Sequence, residues 1–278
     1  MGTCKTAQLL CALLTLPIAA EAQNTPIVVT PASPSAYEPF ELTFSTHNGG
    51  IGWPVNVSVD GSTLTVEYAA TDSGFVPEEV QVTTTVAGLA PGTYAVKLFS
   101  RVGSTLTQSP TQSSVSVAPI GETQQIHAFF NHRSGHYFIT ASVAERDGIV
   151  QGMAGDGWFI SDKGFNGWPA AGAAPDAAKP VCRFYSQVVN SHFYTAGAAE
   201  CEGLKQAGSG WAYEGIAFRA LIPKGGSCPG GTVPIWRLYN DRAAQADSNH
   251  RFVASGETYR SMIANGWVAE GVAFCSPN

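Results

Sequence analysis

Several things are scarce in this chain, and each scarcity excludes something. There is no Gly-x-Ser-x-Gly, no His-Glu-x-x-His and no Gly-rich phosphate loop. The nucleophile elbow, the zincin site and the nucleotide cradle therefore lack their residues. Cysteine is missing between Cys11 and Cys182, no Cys-x-x-Cys occurs, and no histidine stands at ligand spacing from a cysteine. A zinc site is thus not expected, and no cofactor is called for. Beyond the N-terminal segment no apolar run approaches the about 20 residues that a membrane-spanning helix needs, so membrane insertion is not expected. Positive charge is also short. From Gln23 to Gln124 only Lys97 and Arg101 face eight carboxylates, and from Gln125 onward twelve basic residues balance twelve acidic ones. Neither half is basic, which argues against nucleic acid or an anionic membrane as partner.

What is present begins with an export signature. Lys5 precedes the apolar run Leu9–Leu14, and the stretch closes on Ala20-Glu21-Ala22, the small-x-small pattern of a cleavage site. Residues 1–22 read as a signal peptide, and the mature chain is expected to be secreted, extracellular or periplasmic, from near Gln23. Cys11 lacks the small residue expected before a lipid-modified cysteine. Export leaves Cys182, Cys201, Cys228 and Cys275, an even number suited to two disulfides. Three pairings exist. The one favoured here is Cys182–Cys201 with Cys228–Cys275, each stapling one repeat to itself and contributing about 3–4 kcal/mol.

Residues 23–118 have an all-β pattern. Phe40–Phe44 and Val55–Val59 alternate apolar and polar side chains. Asp60-Gly61 stands between two such runs as a two-residue hairpin signal. Further strands are expected at Val80–Val86, Thr93–Ser100 and Ser113–Val117, which together suggest an immunoglobulin-like β-sandwich. Leu89–Val96 resembles a strand entry of fibronectin-III-like and bacterial immunoglobulin-like domains. Such domains act as spacers or presenters. Asn56-Val57-Ser58 is a glycosylation sequon, relevant only in a eukaryotic secretory route. Residues 119–124 form a linker.

Residues 125–278 repeat themselves three times, as 125–180, 181–234 and 235–278. The openings Ile126–Asn131, Val181–Ser186 and Ile235–Asn240 align. A His-led strand follows each, from His136, His192 and His250. A helix-like stretch comes next, as at Ser142–Glu145 with capping-box form. Each unit closes on Trp158, Trp211 or Trp267, with Phe165, Phe218 or Phe274 seven residues later. A period of about 54 residues implies a closed or stacked architecture, and a β-trefoil-like domain with short helices fits the span. A minimal propeller-like arrangement and an open array are the alternatives.

The repeated polar residues are the candidate site. By strand alternation His192 and Tyr194 face one way, a patch that could hold a sugar ring; the competing role for the three histidines is to tie down loops. Arg183 and Arg237 share one repeat position, and Glu214 and Glu270 another. An ion pair within repeats two and three is favoured over a ligand clamp. Trp168, in a Gly/Pro/Ala-rich insertion, is the candidate for an exposed stacking residue. The other repeat aromatics read as core.

The Arg183-Phe184-Tyr185 opening, the His192–Thr195 strand and the Trp211–Phe218 closure resemble the bacterial DUF5648 repeat family. Arg237-Leu238-Tyr239, His250 and Trp267–Phe274 also match, whereas the first repeat keeps only its strand starts and aromatic positions. The resemblance implies a secreted or surface protein. Kinship with lectin-like trefoils would imply carbohydrate binding, an analogy from fold. The expectation is a secreted, non-catalytic protein that binds carbohydrate or cell-wall glycan through its repeat domain. The alternative is a protein-binding, adhesin-like or inhibitory module engaging a partner through the insertions Trp168–Pro180 and Lys224–Val233. A secreted hydrolase ranks below both, since carboxylate pairs depend on the fold.

Overall fold

The computed structural model describes residues 26–46, 54–70 and 79–278; the signal peptide expected at residues 1–22, with Cys4 and Cys11, lies outside them. The chain is mainly β. Its first half carries β1 (Val28–Thr30), β2 (Phe40–Thr46), β3 (Val55–Asp60), β4 (Thr63–Ala69), β5 (Val80–Val86), β6 (Gly92–Val102), β7 (Thr105–Gln108) and β8 (Ser113–Val117). Alternation builds them. Strand β2 turns Phe40, Leu42 and Phe44 inward, and β6 turns in Tyr94, Val96 and Leu98. One sheet has the order β1-β2-β5; the other runs β3-β4-β6, with β7 and β8 both paired to β6. Leu42, Phe44, Leu64, Val66, Val96, Leu98 and Val115 meet in one cluster between the sheets. Two details differ from expectation. Asp60 pairs with Thr63, so the hairpin turns on Gly61-Ser62, with Gly61 at φ +53°. Strand β4 runs parallel to β6, a departure from the antiparallel sheets of an immunoglobulin sandwich.

In the second half one succession occurs three times: strand, strand, helix, strand. The first unit has β9 (Gln124–Asn131), β10 (His136–Thr140), α1 (Val143–Val150) and a closing strand split into β11 (Trp158–Ile160) and β12 (Phe165–Gly167). The second has β13 (Ala178–Ser186), β14 (Ser191–Thr195), α2 (Ala198–Leu204) and β15 (Ala212–Leu221). The third has β16 (Thr232–Tyr239), β17 (His250–Val253), α3 (Gly256–Ala264) and β18 (Val268–Pro277). In each, the opening strand lies between the second and the closing strand. A helix between the second and closing strands distinguishes these units from the hairpin-only construction of a trefoil. Ser142 caps α1 through the Glu145 N–H, but the Glu145 carboxylate turns to Thr140 and Arg183 instead of completing the capping box.

The three units meet at a shared centre. Phe165, Phe218 and Phe274 contact one another pairwise, with ring centroids 5.6–6.2 Å apart. Ile126, Val181 and Ile235, from the three opening strands, are fully buried beside them. No unit could bury this surface alone, so the core exists only once all three have closed.

Residues 119–124 do not hold the halves apart. Trp168 is only 2% exposed; it packs edge-on against Tyr37 with centroids 5.8 Å apart and donates Nε1–H to the Ile120 carbonyl at 3.0 Å. This corrects its assignment as an exposed stacking residue: an apolar ring with one N–H is drawn into a dry interface that supplies one acceptor. Ala174, Ala177, Ala178 and Leu221 join the sandwich cluster, and the Ala177 N–H donates to Glu38. At Gly121 a Cβ would lie 1.9 Å from the Ala173 carbonyl oxygen, so only glycine permits that approach. The insertion Trp168–Pro180 therefore faces the sandwich. Lys224–Val233 does so in part, for Gly231 abuts Ala90.

Both disulfides pair as expected. Cys182–Cys201 ties β13 to α2 within the second unit. Cys228–Cys275 does not staple one repeat to itself: Cys228 lies in the connection ahead of β16, and its partner lies in the closing strand of the third unit.

Candidate functional site

Strand register decides which residues are equivalent. Tyr185 pairs with His192 and Tyr239 with His250, but in the first unit Phe130 pairs with Tyr137. The counterpart of His192 and His250 is thus Tyr137, and His136 falls one place earlier, level with Ser191 and Asn249. A one-residue offset turns a side chain to the other face, so His136 does not belong with the other two histidines. It is 6% exposed, with Nδ1 3.0 Å from the Asn190 carbonyl and Nε2 2.5 Å from Asp247. Asn249 bonds Ser191 Oγ and both backbone polar groups of Tyr137. His136, Ser191 and Asn249 form a polar plug among the units, which satisfies groups that would otherwise be buried unpaired. Tyr194 is likewise corrected as a surface residue: it is buried, and its hydroxyl donates to Ile139 O at 2.5 Å. Burial raises its pKa beyond any working range.

The remaining candidates gather at the seams between units. At the first seam Arg183 Nε lies 2.9 Å from Glu214 Oε2, and its Nη1 lies 2.9 Å from Glu145 Oε2 on the preceding unit's helix. His192 Nε2 stands 3.3 Å from the same Glu214 oxygen. The second seam copies this with Arg237, Glu270, Glu200 and His250, at 2.9, 3.4 and 3.3 Å. The Arg–Glu ion pair expected within units two and three is therefore present. It also extends across each seam to a helix carboxylate, Glu145 or Glu200, which stands three residues past its helix cap and which the sequence offered only as an early helix carboxylate. Aromatic contacts follow the same rule: Phe138 meets the edge of His192, and Phe193 that of His250. At the third seam Arg251 takes the phenylalanine position and lies over Tyr137, 4.4 Å from the ring centre.

Electrostatics freeze these histidines in the neutral form. Burial, then the adjacent Arg183, pushes His192 down to about 4; burial and Arg237 push His250 down to about 3. Burial alone would raise Glu145, but hydrogen bonds from Arg183 and Thr140 together hold it below the usual carboxylate range. Glu270 goes the other way, raised by burial with Glu200 adding to it against the pull of Arg237.

The first seam opens into a cleft of about 360 Å³. One wall is apolar, with Phe138, Ile149, Met153 and Trp158; the other carries Glu145, Arg183, His192 and Glu214. A hollow of about 280 Å³, lined by Thr140, Ser142 and Ile216, lies on the other side of the ion cluster. Apolar ring surface facing fixed donors and acceptors is the composition of a small-molecule site. Sequence reasoning missed Glu145, Met153 and Trp158 here. Glu145 read as a cap and Trp158 as core; the only hint was that Trp158 follows a run of glycines. Among the described residues no group of three or more His, Cys, Asp or Glu could hold a metal, and no helix is long and apolar enough to cross a membrane.

No curated protein and no solved structure matches the chain. Residues 125–277, more than half of the sequence and the whole of the three-unit region with its clefts, match the family described as Domain of unknown function (DUF5648), and the chain belongs to that family.

Proposed function

We propose that this is an exported, non-catalytic binding protein that holds a carbohydrate or cell-wall glycan at the first seam. The observation that carries the reading is the cleft itself, where Trp158 and Phe138 face a fixed Glu145–Arg183–Glu214–His192 array. A sugar ring has an apolar face for the aromatic wall and hydroxyls for the carboxylates and the neutral imidazole. Two disulfides suit an oxidising compartment, in line with the export signature. In this reading the N-terminal half is an immunoglobulin-like presenter and the DUF5648 half a trefoil-like, threefold head. Catalysis fits poorly: Glu145 and Glu214 do face the cleft, but they share one guanidinium, and Glu145 is held ionised when glycoside hydrolysis needs a protonated donor.

The test is a glycan and peptidoglycan array with the mature protein beside Trp158→Ala and His192→Ala, each checked for unchanged melting. Binding lost in folded variants supports the site; a flat array for folded wild type refutes the reading. A second reading, a protein-binding module, draws on exposed Val143, Val150, Met153, Phe159 and Ile160 on the first unit. Pull-down by wild type that a Phe159→Ser, Ile160→Ser variant loses would favour it.

A further inference from the structure

One strand-to-helix position is filled differently in each unit. Register places His127, Cys182 and Trp236 opposite Thr140, Thr195 and Val253, the same point of each hairpin. Four residues beyond the helix caps Ser142, Gly197 and Ser255 stand Arg146, Cys201 and Tyr259. In the second unit the pair is a disulfide, and in the third it is a stacked Trp236–Tyr259 pair with centroids 5.4 Å apart. In the first unit His127 and Arg146 make neither kind of link. Helix α1 buries none of its residues, whereas α2 buries Cys201 and α3 buries Met262.

Where the other units are closed, the first is open. Between α1 and the β9–β11 strands lies a cleft of about 710 Å³. Its apolar side is Val150 and Ile160, both exposed. Its carboxylates already have partners: Asp147 binds Arg146 at 2.7 Å, and Asp162 accepts the Gly164 N–H at 2.7 Å while standing 3.7 Å from Arg251. Its donors are less engaged. Ser161 Oγ is buried with no hydrogen-bond partner, and neither the Lys163 ammonium nor the His127 ring has one among the described residues. Burial and Arg146 lower the His127 pKa, so the ring is neutral at pH 7.

We infer that this cleft is a second binding site, distinct from the first seam, and that it takes a carboxylate-bearing sugar such as a uronic acid. The Lys163 ammonium receives the carboxylate, the His127 imidazole faces a ring hydroxyl, and Val150 and Ile160 line the apolar ring face. A neutral sugar leaves the ammonium unmatched, so the site discriminates by charge.

The experiment titrates the mature protein with tetragalacturonic acid and, in parallel, with neutral galactotetraose, by calorimetry at pH 7 and low salt. Wild type is expected to bind the acidic tetramer at least about tenfold more tightly than the neutral one, the size of one charge-assisted contact. Lys163→Ala should remove that preference. His127→Cys with Arg146→Cys, which recreates the second unit's staple, should in its oxidised form close the cleft and abolish acidic binding in protein that still melts cooperatively. Trp158→Ala, in the first-seam cleft, should leave acidic binding intact, so failure of the two sites can be told apart. Equal binding of both tetramers, no binding of the acidic one, or acidic binding unchanged in folded Lys163→Ala would each overturn the proposal.

Discussion

The first two seams and the third are built on one scaffold and solved differently. At the first two, an arginine in the opening strand bridges its own closing-strand glutamate to the preceding helix, and a neutral histidine completes the cluster. At the third, Ala128 replaces the arginine and Ser161 the glutamate, and Arg251 reaches back over Tyr137. The charge has moved from the opening strand to the second strand of the preceding unit, and its one carboxylate is Asp162, at 3.7 Å. What recurs at all three is the apolar centre, which teaches that the ion clusters are fittings on a shared core and not its cause.

The largest effect should come from removing what all seams share. Phe218→Ala would empty part of the central triad and is expected to cost about 3–5 kcal/mol, read as a shift in denaturant midpoint. Replacing Cys182 and Cys201 by alanine opens a loop with a sequence separation of 19 and should cost about 3 kcal/mol; a smaller loss would mean that α2 is held by packing, as α3 is. Next, Arg183→Met strips two part-buried carboxylates of their partner and should cost about 1–3 kcal/mol. Arg251→Met at the third seam, where the nearest carboxylate is 3.7 Å away, should cost about 1 kcal/mol or less. Equal losses would erase the distinction between the seams.

Proton linkage gives a finer contrast. His192 and His250 titrate near 4 and 3 in the folded protein, below the about 6.5 of an unfolded chain. The unfolded state therefore takes up the proton first. Their stabilising effect is fully present above about pH 6.5, is lost as pH falls toward those folded values, and changes no further below them. Each contributes at most about 1.4 kcal/mol per pH unit inside that window. Glu145, whose pKa is lowered, has the same sign at more acid pH, and Glu270, whose pKa is raised, has the opposite sign. His192→Gln with His250→Gln should flatten the stability profile between about pH 4 and pH 6.5; an unchanged slope would show that these rings are not the titrating groups. Smallest of all, Phe159→Ser on the exposed face of the first unit should shift stability by no more than about 0.5 kcal/mol.

Local pattern made much of this legible. Alternation placed β3, β5 and β8 to within a residue, because a half-buried strand must alternate. Aromatic spacing located Phe165, Phe218 and Phe274, since each closes a unit on the same core point. The site was legible only in part. Arg183 with Glu214 and Arg237 with Glu270 were visible as covarying repeat positions, but Glu145 was not, because its partner belongs to another unit. His136 was misplaced because the letter His was matched in sequence while the hairpin loop set the register one residue away. Trp168 misled because a loop of small residues looks exposed until another domain is laid on it.

By itself, the sequence determined the β class, the threefold succession and the family, all of them properties of spacing and composition along one chain; among three possible disulfide pairings it could only favour the one that the structure shows. The tertiary structure alone decided which residues face one another across the seams, that the linker joins two docked halves, and that the first unit stays open where the second is stapled. The seam and docking contacts join segments 37 to 139 residues apart. No local periodicity encodes them, because the free energy that selects them arises only when separate units bury a common surface.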